Sequence, residues 1–413
     1  MGRTWVGMAA VSMAAAGVLG FVLSTRDADG EGGGAAAADR VRQAADRIEG
    51  SGAAPEPSEH GGATPDARGR SRSAATLQAM NAWERRYLSV IRQRLEMRAQ
   101  AGDAHAQLTL ALMNLEPAGS LSDPAAIERQ DEAGRARRGL ALARALEMAP
   151  DDPLVAWYVA DSCGYRHIEC DKQAAWRRLQ ALDPDNAAVW LTGLDVLLES
   201  GDVEGLELRL SLFVEAERFD NPAAATGRLL VEQIDGVAMP EVDPDLREAM
   251  GERLGLGRPL TDEELRYMPA TNAWIGQAGA VPVTGPYRAC LGAPTLADPA
   301  ICRRAAARLS TGSSLIERVM GLVLQVQLTA DLPEGARWRE ALRRHHWQYE
   351  QYMALAREAP PPGYLRRVLV DGEIDALEWR LARAGISEPP PGWLPTRPRQ
   401  RALVTTGRLP PGD

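Results

Sequence analysis

The chain has 413 residues, 45% of them of apolar type, and a formal net charge of -9. That length suits two or three domains and a sizeable core. An acidic balance with no block of basic residues argues against nucleic acid as a partner, which would demand a basic footprint. Lys172 is the single lysine, a bias toward arginine that reflects codon composition rather than function.

Arg3 precedes an uncharged apolar stretch from Thr4 to Leu23, about the 20 residues a helix needs to cross a bilayer. Asp27, Asp29 and Glu31 follow, beside Arg26. The positive-inside rule then puts the N-terminus in the cytoplasm. A cleaved secretory signal is the alternative. Ala14-Ala15-Ala16 has the small residues of a cleavage site, but the apolar run continues from Val18 to Leu23, and Val22-Leu23-Ser24 is a poorer site. Either reading exports the remainder. Residues 1–24 are therefore read as a signal anchor in a bacterial inner membrane with the bulk of the chain periplasmic, or as a signal whose removal leaves a secreted or periplasmic protein. Residues 25–75 are Gly, Ala, Ser, Pro and charge, too poor in large apolar groups to hold a core, and predict a disordered tether.

Order is expected from about residue 76. Leu77, Met80, Trp83, Tyr87, Leu88, Ile91 and Leu95 recur at helical spacing. A second helix is predicted from about Asp103 to Leu115. Asp123 before Pro124 reads as a cap with proline in the first turn, and the helix ending at Met148 is expected to begin near Asp131. Pro150 and Pro184 lie 34 residues apart, each between two apolar helical stretches. That period belongs to stacked helix-turn-helix units, and the block is assigned to 76–220. Beyond Pro222 the period is lost. Residues 221–385 are read as further helices: Thr261 to Glu264 as a capping box, Asp298-Pro299 as a second cap with proline, helices over 313–328 and 338–357, and a last pair over 365–370 and 374–384. Residues 270–287 read as irregular. Residues 386–413 read as a Pro-rich tail, with 402–406 as a possible short strand. The fold class is all-α, an α-solenoid of antiparallel helical pairs followed by more helices.

The text Ala-Gly-Asp-Ala-His-Ala-Gln-Leu-Thr-Leu-Ala-Leu-Met at 101–113 resembles the start of a Sel1-like repeat. The unit 153–186 resembles a tetratricopeptide repeat, with Ala160 at the small position of the first helix and Trp176 at the aromatic position of the second. Lys172 departs from the pattern. In the next unit Trp190 matches, while Leu194 replaces the small residue and the closing proline is missing. The whole resembles exported bacterial proteins with degenerate repeats. The resemblance implies helical pairs and a partner-binding concave face lined by the first helix of each unit. Trp157, Asp161, Leu191, Asp195 and Glu199 fall on that side. Asp161 and Asp195, one repeat apart, would stack as an acidic ladder able to take a basic peptide; a solvated helix face is the plainer reading.

Four cysteines form two local pairs, Cys163 with Cys170 and Cys290 with Cys302. Short-range pairs in an exported chain predict two disulfides. Cys163, His167 and Cys170, with Glu169, offer an alternative metal or redox site. Adjacent His345 and His346 point about 100° apart on a helix, so one is expected inside and one in solvent. No P-loop, His-Glu-x-x-His or Gly-x-Ser-x-Gly motif occurs. The expected function is a membrane-tethered periplasmic scaffold without cofactor, binding another envelope protein or peptide. A cell-envelope enzyme acting on peptidoglycan is the alternative, and convergent carboxylates of raised pKa would mark it.

Overall fold

The computed structural model describes residues 67–113, 124–163, 170–275, 283–292, 297–355 and 358–410. The apolar stretch at 4–23, the tether up to residue 66, and His167 and Glu169 lie outside them. Every element among the described residues is a helix, and the one extended contact is an isolated bridge between Asn186 and Arg218. The protein is all-α. No helix among these residues is long and apolar enough to cross a membrane.

Local capping sets most helix starts. Asp103, Asp152, Asp171, Asn186, Asp202, Asn221, Asp243 and Asp298 each accept hydrogen bonds from first-turn backbone N–H groups. Proline stands in the first turn after Asp152, Asn221, Asp243 and Asp298, where its missing N–H costs nothing. Thr261 and Glu264 close a reciprocal box: Glu264 N–H donates to Thr261 Oγ1, and Thr261 N–H to Glu264 Oε2.

Helices α1 (Ala67–Gln100), α2 (Ala104–Leu112), α3 (Pro124–Met148), α4 (Pro153–Ser162) and α5 (Lys172–Leu182) pack each against the next. α3 runs unbroken from Pro124, so no new start occurs near Asp131. Met80, Trp83, Tyr87, Leu88, Ile91 and Leu95 on α1 are buried, while Leu77 is 37% exposed. The next stretch is split into α6 (Ala187–Trp190) and α7 (Leu194–Ser200) by Gly193, whose φ is 76°. A Cβ there would stand 2.8 Å from the Trp176 ring. α8 (Val203–Glu215) packs on both α6 and α7.

The chain then folds back. α9 (Pro222–Ile234) lies against α2 and α4, and also against α11 (Asp262–Ile275) and α16 (Tyr364–Asp371). α10 (Pro244–Arg253) returns to α1. α12 (Thr284–Leu291) occupies part of the stretch expected to be irregular and packs on α7, α13 (Pro299–Leu309) and α14 (Leu315–Leu328). α14 contacts α15 (Gly335–Leu355), α15 contacts α17 (Glu373–Arg383), and α16 and α17 form a pair. The expected tail carries α18 (Pro398–Thr406) on α14 and α15. There 402–406 is helical rather than a strand, and Leu403 and Val404 are buried against Val319, Leu322, Val323 and Leu342.

The apolar clusters cross the expected boundary at residue 220. One joins Trp83 and Ile91 to Leu230, Trp274 and Leu377. A second joins Trp157 and Phe213 to Cys302 and Leu324.

Candidate functional site

The face predicted to line a groove is largely covered. α2 and α4 are the first helices of their pairs, and α9 packs on both. Tyr158 of α4 and Thr226 of α9 are hydrogen bonded at 2.5 Å in a buried position. Trp157 is 4% exposed and Leu191 0%, both within the second cluster, so neither lines an open groove. The cause is tertiary: that cluster also draws residues from α8, α12, α13 and α14. Glu199 is exposed on α7. Asp195 pairs with Arg288 at 3.2 Å. Asp161 is exposed at the end of α4, yet the surrounding protein desolvates its carboxyl enough to raise its pKa against the pull of Arg138 and Lys172. Asp161 thus lies near Arg138 and Lys172 and Asp195 beside Arg288, and the left-handed Gly193 separates α6 from α7 two residues before Asp195.

Both predicted disulfides are present, Cys163–Cys170 and Cys290–Cys302, and no described cysteine is free. The sulfurs of Cys163 and Cys170 are bonded to each other, not held as thiolates for a metal. Among the described residues no three His, Cys, Asp or Glu side chains gather as a metal site.

His345 and His346 depart from expectation: both are buried, at 5% and 3%. Their ring centroids are 6.2 Å apart. Burial pushes His345 down to about 3, helped by His346 and Arg318. It pushes His346 down to about 4, helped by Arg397. The Nε2 atom of His346 is buried without a hydrogen-bond partner among the described residues. A helix enclosed on several sides by α14, α17 and α18 has more than one inward face, which explains why two adjacent positions are both internal.

One buried polar assembly joins residues far apart in sequence. Three helix N-termini meet around two glutamates. Ser314 caps α14 in a capping box with Glu317. Glu317 is 0% exposed. Its Oε2 accepts from Ser314 N–H at 3.1 Å and its Oε1 from the Asn221 amide at 2.5 Å. Asn221 in turn caps α9 through Ala223 N–H at 2.7 Å. Glu373, the first residue of α17, accepts from Leu315 N–H at 2.9 Å. Desolvation raises Glu317 against those hydrogen bonds. Desolvation also raises Glu373 to about 7, against the Leu315 hydrogen bond and aided by the neighbouring Glu317 charge. The signal for this assembly was partly visible as Ser314 followed by Glu317, a second capping box. Its other members come from residues 221 and 373, which only the fold brings near.

Chemically the pair can hold a proton near neutral pH and bind helix starts together. Glu317 is sealed from solvent and each of its oxygens accepts a hydrogen bond, so it is a fastening rather than a reagent. Strongly perturbed pKa values also arise in such structural networks.

No family model, curated protein or solved structure matches this chain.

Proposed function

We propose that the chain is a membrane-tethered, exported helical-repeat protein that serves as a protein-binding scaffold in the bacterial cell envelope. The observation that carries this reading is the consecutive packing of α1 to α5, each helix on its neighbour, as stacked helical pairs pack in solenoids. The two local disulfides support an oxidising compartment, and the apolar stretch at 4–23 supports the tether. With α9 seated on α2 and α4, the partner surface is assigned to the outer faces, where Leu140, Val203 and Leu208 stand 54%, 41% and 60% exposed. The catalytic alternative draws on the raised pKa values of Glu317 and Glu373. Glu317 offers no accessible oxygen, so the scaffold is the reading retained.

A photo-crosslinking side chain placed at Leu140 or Leu208 in the full chain, expressed in cells, tests the scaffold. A discrete adduct that is lost when the exposed residue one turn away is reversed in charge, Arg144→Glu for Leu140 or Glu204→Arg for Leu208, supports it. Uncrosslinked monomer at both positions, from cells in which the chain is folded and oxidised, overturns it.

A further inference from the structure

The structure assembles a basic face that the linear sequence divides. Residues 331–344 and 388–408 contain eight arginines and four carboxylates, in a chain of net charge -9. Contacts between α15 and α18 bring the two segments together. Side chains sew the seam: Arg343 Nη1 donates to the Trp393 carbonyl at 3.3 Å, Arg344 pairs with Glu388 at 3.2 Å, and Arg408 pairs with Asp331 at 2.5 Å. Arg401 Nε donates to the Pro395 carbonyl at 3.1 Å.

Three of the four carboxylates are thereby engaged: Glu340 by Arg343, Glu388 by Arg344, and Asp331 by Arg408. Arg337, Arg339, Arg397, Arg399 and Arg401 have no carboxylate partner among the described residues. Arg337, Arg397 and Arg401 are exposed, and Arg339 and Arg399 half-exposed. Apolar and aromatic groups sit among them. Leu332 is 38% and Leu394 40% exposed, Trp393 is half-buried, and Arg337 lies 4.9 Å from the Trp338 ring centre.

We infer that this face, built from the start of α15, the 393–397 segment and α18, docks the folded region onto an anionic phospholipid surface. The chemistry fits a membrane interface. Arginines meet phosphate headgroups, each basic side chain near an anionic surface adding attraction that salt screens. Tryptophan and leucine enter the headgroup level, where amphipathic rings are favoured. An acidic protein segment would use the arginines but would leave Leu332 and Leu394 without a role. The inference rests on the membrane-tether reading, since a chain held at a bilayer meets this surface at high local concentration.

The full chain, reconstituted in vesicles, provides the test. Thr396 is exposed within the face. Thr396→Cys can be labelled with an environment-sensitive fluorophore while the four native cysteines stay oxidised. The expected result is a blue shift in vesicles containing phosphatidylglycerol and none in phosphatidylcholine alone. The shift should vanish in about 0.5 M salt, where the Debye length falls to roughly 4–5 Å. The combined change Arg337→Gln, Arg397→Gln, Arg399→Gln and Arg401→Gln should raise the anionic lipid fraction needed for half the shift at least about threefold, with the helical circular dichroism unchanged. Flotation with neutral vesicles reports the tether separately. A chain that floats but shows the same fluorescence in both lipids overturns the docking face and leaves the tether standing. A chain that fails to float with neutral vesicles overturns the tether. A blue shift produced equally by soluble polyglutamate over neutral lipid would assign the face to an acidic protein and overturn the membrane inference.

Discussion

The Asn221 amide donates to Glu317 Oε1 at 2.5 Å across 96 residues of sequence. Each residue already caps or boxes its own helix, so this one contact ties the start of α9 to the start of α14. Asn221→Ala removes the cap on Ala223 and leaves a buried carboxylate short of a donor. The expected loss is about 2–4 kcal/mol, read from denaturant unfolding at pH 7. Asn221→Asp keeps the cap but sets a second acidic group beside Glu317. Its penalty should grow as rising pH ionises the two facing carboxyls, and a pH-independent penalty would show that the contact matters only as a cap.

Glu373 gives the protein an alkaline liability. Its folded pKa, about 7, lies above the ordinary carboxyl value of 4.5, so the folded state favours the protonated form. Stability from this group is complete below about pH 4.5 and is lost as pH rises toward 7. The loss is of order 1–3 kcal/mol, since one pKa unit corresponds to about 1.4 kcal/mol. Glu373→Gln should flatten the stability profile between pH 5 and pH 8, as thermal midpoints across that range would reveal.

The histidine pair acts in the opposite direction. His345 and His346 are depressed from 6.5 to about 3 and about 4. Their neutral forms stabilise the fold above pH 6.5, and that contribution is lost as pH falls from 6.5 toward 4. His346→Phe removes one buried group that would have to charge, and it strands no partner because Nε2 has none among the described residues. The variant should resist acid unfolding better than the parent. An acid midpoint unmoved by the change would assign acid sensitivity elsewhere.

Trp176 is half-buried, less enclosed than its place in the repeat pattern suggests, with Lys172 5.0 Å from its ring centre and Gly193 against its face. Trp176→Ala should cost about 1–3 kcal/mol, below the range for a fully buried aromatic. Gly193→Ala meets both the ring and an unfavourable φ. A double-mutant cycle should recover part of its cost in the Trp176→Ala background and leave the backbone strain. Strict additivity would show that the ring contact contributes nothing.

The disulfides differ in access. Cys290 and Cys302 are 2% and 0% exposed, whereas Cys170 is exposed. Under limiting reductant, alkylation and mass spectrometry should find Cys163 and Cys170 modified first. Replacing either pair with alanine should cost about 2–3 kcal/mol in the chain-entropy model.

What the sequence determined by itself is what short-range forces decide. Asp152 and Asp298 before prolines set helix starts because a cap and its N–H donors lie within three residues. The Thr261–Glu264 box was legible for the same reason, and the cysteine pairs were legible because each closes a short loop. The tertiary structure decided which surfaces are inside. Trp157 and Leu191 looked like groove residues until the fold buried them in a cluster shared with α8, α13 and α14. His345 and His346 were expected on opposite sides of a boundary that the enclosing helices removed. Residues 398–406 have weak helical signals alone and become a helix where Leu403 and Val404 find Val319 and Leu342. Those outcomes depend on contacts many residues apart, whose free energy comes from excluding water between surfaces that only the assembled fold brings together.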